Sequence, residues 1–125
     1  MGDRRGSSTG RLTTHVLDTA TGLPAAGLKV ELHRLKDGEA ALIGSIKTNA
    51  DGRADAPLLS GDDMVTGSYE LVFHAGDYFR EQKLDLVEPF FLDQVPLRFG
   101  VADPSKHYHV PLLLSPFGYT TYRGS

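Results

Sequence analysis

Leu28-Lys29-Val30-Glu31-Leu32-His33 alternates apolar and polar residues at every step. A period of two puts Leu28, Val30 and Leu32 on one face of an extended chain and Lys29, Glu31 and His33 on the other, the pattern of a half-buried β-strand. Tyr69, Leu71 and Phe73 repeat it against Glu70, Val72 and His74, and Leu12, Thr14 and Val16 repeat it against Thr13, His15 and Leu17. Further strands are expected at about residues 41–48, 93–99, 107–114 and 119–123. Between them, Thr21-Gly22-Leu23-Pro24, Lys36-Asp37-Gly38 and Ala50-Asp51-Gly52 supply turn residues, with glycine where a positive φ is needed. Many short strands joined by such turns predict an all-β sandwich. One stretch departs from the pattern. Residues 77–85 are good helix formers, with Asp77 suited to an N-cap and Tyr78 or Phe79 and Leu84 as apolar anchors, so one short helix is expected there, ended before Pro89.

The chain of 125 residues is one domain, long enough to bury roughly two-thirds of its unfolded surface. A formal net charge of −3 argues against a nucleic-acid partner or an anionic membrane, which favour a basic patch. There is no cysteine, which excludes disulfides, thiolate metal sites and cysteine nucleophiles. Residues 1–10 are rich in Gly, Ser and Arg and are expected to form a disordered leader, with the folded domain spanning 11–125. Arg4-Arg5 is not followed by a hydrophobic region, and Gly6 stands where a myristoylation signal wants Ser or Thr. No run approaches transmembrane length. A soluble cytoplasmic protein is the expectation.

The chemistry gathers near the end of the chain. In the strand from His107, period two puts His107, His109, Pro111 and Leu113 on one face and Tyr108, Val110, Leu112 and Leu114 on the other. The second set is the better core face, so the histidines are expected to point outward. Pro111 cannot donate to a ladder, which predicts an edge, a bulge or an unusual neighbour beside it. An outward face of His, Pro and Leu fits a cleft or subunit interface better than plain solvent. The apolar, aromatic stretch before Tyr122-Arg123-Gly124-Ser125 would pin that reactive ending to the body.

Each residue also has a plainer reading. His-Tyr-His could ligate zinc from a strand, yet no third ligand is evident, and both histidines could be surface residues without a role. His15 could be a sheet-surface histidine bonded to a threonine. Arg53, after the Asp51-Gly52 turn, could be a solvated charge, as could Arg34, Arg80 and Arg98. His33 and His74 lie on polar strand faces and are assigned no function. G-x-S-x-G, P-loop and G-x-G-x-x-G patterns are missing from the sequence.

Three separated motifs, taken together, carry more. They are Thr13-Thr14-His15-Val16-Leu17-Asp18-Thr19-Ala20-Thr21-Gly22-Leu23-Pro24, then Thr48-Asn49-Ala50-Asp51-Gly52-Arg53, then the run from His107-Tyr108-His109 through Ser115-Pro116-Phe117-Gly118-Tyr119-Thr120-Thr121 to Tyr122-Arg123-Gly124-Ser125. In this order they resemble the 5-hydroxyisourate hydrolases, the transthyretin-related enzymes of urate degradation, over about residues 11–125. The resemblance implies a transthyretin-like β-sandwich of two four-stranded sheets with one short helix, assembled as a homotetramer, a dimer of dimers, with active sites in the channel between dimers.

It also implies hydrolytic opening of the six-membered ring of 5-hydroxyisourate to 2-oxo-4-hydroxy-4-carboxy-5-ureidoimidazoline, with no cofactor and no metal. The matched catalytic residues are His15, Arg53, His109 and Ser125, and the substrate contacts are His15, Arg53, Tyr122 and Arg123; His107 is a neighbour. His109 is expected to act as base or water-positioner with His15 as its partner, and Arg53 as clamp for substrate and oxyanion. Tyr122 and Ser125 would order the site, the Ser125 carboxylate bonding a catalytic histidine. The alternatives are a transthyretin-like carrier of a small ligand, which would lack His15 and the Tyr-Arg-Gly-Ser ending, and a zinc-dependent cyclic amide hydrolase.

Overall fold

The computed structural model describes residues 9–124. The described residues form nine strands, one short α-helix and a 3-10 turn. In chain order they are β1 (Arg11–Asp18), β2 (Leu23–Pro24), β3 (Lys29–Lys36), β4 (Glu39–Lys47), β5 (Leu59–Ser60), β6 (Gly67–His74), α1 (Ala75–Glu81), β7 (Gln94–Val101), β8 (Tyr108–Ser115) and β9 (Gly118–Thr121). Two sheets result. One is the antiparallel sheet β4-β3-β6-β7, and the other runs β2-β1-β8-β9 with β5 also paired to β1.

Two sheets and one short helix match the sequence reading, with differences in detail. One sheet has four strands as expected, whereas the other has five. The extra count arises because β5 pairs with Arg11 and Leu12 while β2 pairs with Leu17 and Asp18, so two short strands share one edge of β1. The helix covers Ala75–Glu81 and not residues 77–85. It starts earlier because the Asp93 carbonyl accepts the Gly76 N–H at 2.8 Å, satisfying a first-turn donor from a distant segment. Asp77 is therefore not the N-cap but a first-turn residue whose carboxylate accepts from Arg80 at 2.9 Å. The helix stops when Lys83 turns to a φ of 56°, before Leu84 can reach the buried face. Leu84 is left exposed, and Tyr78 and Phe79 are the anchors. Residues 1–8 of the expected leader lie outside the described residues. Thr9 and Gly10, also assigned to it, are held against the segment before β8 by hydrogen bonds to Ser105 and Pro104.

The core lies between the sheets. Leu12 and Val16 of β1 and Leu112 and Leu114 of β8 meet Val30, Leu32, Tyr69, Leu71 and Phe73 of the opposite sheet, with Phe79 closing one end. Each fully buried side chain of this kind contributes about 1.5–3 kcal/mol relative to exposure. The polar residues buried among them are all bonded. Thr14 donates to the Val110 carbonyl at 2.7 Å, and Thr48 donates to Ala25 and accepts from Leu28. Asp18 accepts from the Tyr78 hydroxyl at 2.8 Å and from the Ala20 and Thr21 amides. Much of the Thr-Thr-His and Thr-Asn-Ala motifs thus has structural work.

Candidate active site

Strands β1 and β8 are neighbours and parallel, with Thr13 opposite His109 and His15 opposite Pro111. The alternation on β1 is strict, even positions buried and odd positions at least partly open. Arg11, Thr13, His15 and Leu17 therefore share the outer face of this sheet. His109 is partly open while Tyr108 and Val110 beside it are buried, so it looks the same way. Both histidines stand outside the core, as the periodicity predicts.

Arg53 joins them from a third segment. The Asn49 side-chain oxygen accepts the amides of Asp51 and Arg53 at 2.9 and 3.1 Å, folding residues 49–53 into a tight loop. Gly52 takes a φ of 75° there, and its carbonyl accepts the Val16 amide at 2.8 Å. A side chain at position 52 would strike the Val16 carbonyl. Glycine is thus required twice over, for its dihedral and for its close approach to β1. The loop seats itself between β5 and β2 on the edge of β1, and Arg53 bridges directly to His15.

The ending of the chain packs on the other side. Gly124 donates to the His109 carbonyl at 2.7 Å and pairs with His109 as an isolated bridge. This bridge keeps the register in which β9 pairs Thr121 with Leu112. The ladder lapses between them because Pro111 has no N–H to give, which is the unusual neighbour that the sequence predicts. Tyr122 falls opposite Pro111 in that register and is exposed. Arg123, expected as a substrate contact, sits elsewhere. Its guanidinium lies 4.1 Å from the centre of the buried Tyr108 ring and donates to the His107 carbonyl at 2.9 Å. Ser125 lies outside the described residues.

Whereas Tyr122 and Arg123 both line a separate groove, the structure brings together His15, Arg53 and His109. A cavity of about 350 Å³ opens at this place, lined by Arg11, Thr13, Arg53, His107 and His109. A groove of about 450 Å³ between β7 and the end of the chain is more apolar and contains none of the three. Sequence reasoning missed two of the cavity residues, Arg11 and Thr13. Their period-two spacing from His15 was the available signal.

Electrostatics favour neutral imidazoles. Burial, and after it the Arg53 charge, lowers the pKa of both His15 and His109, and each ring is therefore a ready base or donor near neutrality. Asp51, through its main chain and its charge, partly offsets the shift at His15. His109 Nδ1 lies 2.8 Å from the Thr13 hydroxyl. Among the described residues no group of three or more His, Asp or Glu is placed to hold a metal ion.

His33 and His74 do not enter the site. Both are largely buried on the other sheet and converge on Glu31, at 3.2 and 3.6 Å from the same carboxylate oxygen.

The sequence profile described as the HIUase/Transthyretin family matches residues 12–124. A protein of Rhizobium meliloti named 5-hydroxyisourate hydrolase 2 is 63% identical over 119 residues, covering 95% of this chain and 99% of the relative. Among solved structures, a Klebsiella pneumoniae 5-hydroxyisourate hydrolase superposes with a TM-score of 0.74 at 34% identity, covering 94% of this chain and 95% of that one. A chain described as (S)-allantoin synthase superposes with a TM-score of 0.92 at 46% identity, covering 98% of this chain but 46% of its own length.

Proposed function

Because this chain belongs to the HIUase/Transthyretin family, we propose that it is a hydrolase acting on 5-hydroxyisourate, opening the six-membered ring by attack of water on a ring carbonyl. One observation carries the reading: His15, Arg53 and His109, drawn from three distant segments, meet on one open sheet face beside a cavity. The likeness to relatives named for this activity supports it.

Attack on an amide-type carbonyl needs a base for the water, a donor for the oxyanion and a proton for the leaving nitrogen. Neutral His15 and His109 supply proton transfer and donation, and Arg53 clamps the electron-rich ring and the developing negative charge. Tyr122 and Ser125 order the site. Arg123 serves it through the grip on Tyr108 and His107 that fixes the terminal segment. No cofactor enters the reaction.

The active unit in this reading is a homotetramer, a dimer of dimers, with the outer face of β1 and β8 lining a channel between dimers. Leu23, Phe117 and Tyr122 are large hydrophobic residues left exposed on this sheet and its turns, which supports a covered surface. Among the described residues no helix is long and apolar enough to cross a membrane, and we place the enzyme in the cytoplasm.

The test is the decay of freshly generated 5-hydroxyisourate with and without the protein, each after chelator treatment. Acceleration that survives the chelator is expected. A rate equal to the spontaneous one overturns the reading, and activity lost with chelator moves it to a metal-dependent hydrolase.

A further inference from the structure

We propose that Thr13 is a positioning residue that holds neutral His109 with its proton on Nε2, making His109 the hydrogen-bond donor of the site and His15 its base. The proposal rests on the hydrolase reading above and divides its labour between the two histidines.

Thr13 and His109 are direct register partners on adjacent parallel strands, and the Thr13 Oγ1 lies 2.8 Å from Nδ1. A threonine on a strand has few χ1 choices, so this hydroxyl is a stiff partner. It can donate or accept. Among the described residues it bonds His109 and no other group. If it accepted a proton from Nδ1, its own hydrogen would have no protein acceptor there. Donation to Nδ1 uses that hydrogen and leaves the ring proton on Nε2. The opposite edge of the ring is confined by Gly124, whose Cβ, were there one, would fall 2.7 Å from Cδ2. The ring is held from both sides.

His15 is the other imidazole of the site, and burial with the Arg53 charge beside it favours its neutral form. A neutral imidazole always has one nitrogen without a proton. With Nδ1 of His109 taken by Thr13 and its Nε2 carrying the proton, His15 is the ring left with a free lone pair. The site thus presents one bare nitrogen, on His15, and one N–H, on His109. The resemblance leads to the reverse expectation, with His109 as base or water-positioner and His15 as its partner.

The reaction follows with its protons balanced. His15 takes a proton from water as the oxygen bonds to the ring carbonyl carbon. The carbonyl electrons move to oxygen, where Arg53 and the Nε2–H of His109 stabilise the charge. As the oxyanion collapses, the carbon–nitrogen bond breaks and the leaving nitrogen takes the proton held by His15. His109 donates a hydrogen bond throughout and never gives up its proton.

The direct test is nitrogen-15 NMR of the histidine side chains above pH 7, in the wild type, Thr13→Val and Thr13→Ser. His109 protonated on Nε2 in the wild type and Thr13→Ser, with a mixed population in Thr13→Val, is the expected result. His109 protonated on Nδ1 in the wild type overturns the proposal, whether or not the protein is a hydrolase. In turnover of 5-hydroxyisourate, Thr13→Val should lower kcat by about 10–100-fold, the usual cost of losing a group that orients a functional histidine, with KM little changed. Thr13→Ser should recover most of it. Equal kcat in Thr13→Val and the wild type, with both folded by circular dichroism, also refutes it. A wild type that does not turn over the substrate defeats the hydrolase reading, and the NMR result still decides the tautomer.

Discussion

Gly124 leans on the imidazole of His109: its amide donates to the His109 carbonyl at 2.7 Å, and a side chain at 124 would meet the ring itself. Gly124→Ala should therefore displace the ring or lift the terminal segment, with the sandwich untouched. A displacement of about 1 Å in a catalytic group can cost roughly a hundredfold in rate. The expected result is a kcat lowered to about that extent with an unchanged melting temperature. Wild-type turnover in this variant would show that His109 does not need its present orientation.

Arg53→Gln should act twice. It removes the charge that clamps the oxyanion, a loss of about 100–1000-fold in kcat. It also removes one of the causes that lower the pKa of His15 and His109. The acid limb of the wild-type kcat profile is expected below 6.5, the ordinary histidine value. In the variant it should move up toward that value without reaching it, since burial is the larger cause and remains. The same linkage governs stability. Rings held neutral in the fold contribute stability that is full above pH 6.5 and is lost as pH falls through their lowered values. Urea midpoints across this range should fall less steeply for Arg53→Gln than for the wild type. An acid limb that stays in place would separate Arg53 from both histidines.

Tyr78→Phe tests the support beneath β1. The Tyr78 hydroxyl donates to the buried Asp18 carboxylate at 2.8 Å, and the other oxygen of that carboxylate takes the turn amides of Ala20 and Thr21. Burial, with Asp18 beside it, pushes the Tyr78 phenol up, so it stays protonated and donating. Its loss leaves a buried acceptor short, at a cost of about 1–3 kcal/mol. Urea denaturation should show that loss, with kcat preserved in conditions where the variant is folded. An unchanged midpoint would mean that another donor replaces it.

The sandwich was legible because its core strands alternate. Leu12 and Val16, Val30 and Leu32, and Tyr69, Leu71 and Phe73 all lie buried as their spacing requires. The two-residue strands β2 and β5 were not, since two residues carry no period. The start of α1 was misplaced because its first-turn partner, the Asp93 carbonyl, is remote in sequence. The outward aim of His109 followed from the face it does not share with Tyr108 and Val110. Arg53 had no local signal, and its meeting with His15 depends on how Gly52 lies against Val16. The Thr13–His109 contact joins residues 96 positions apart. Only the pairing of β1 with β8 reveals it.

That parallel pairing also decides when a site can exist. During synthesis, β3 with β4 and β6 with β7 can zip as near neighbours while later residues are still being added. Strand β1, made early, finds only the short strands β2 and β5 nearby and has to wait for β8, because the partner that pairs along its whole length is encoded almost a full chain away. Until then His15 and Arg53 face no His109, and a nascent chain already folded in its other sheet has nothing with which to turn over a substrate. Closing the sheet and completing the site are the same event.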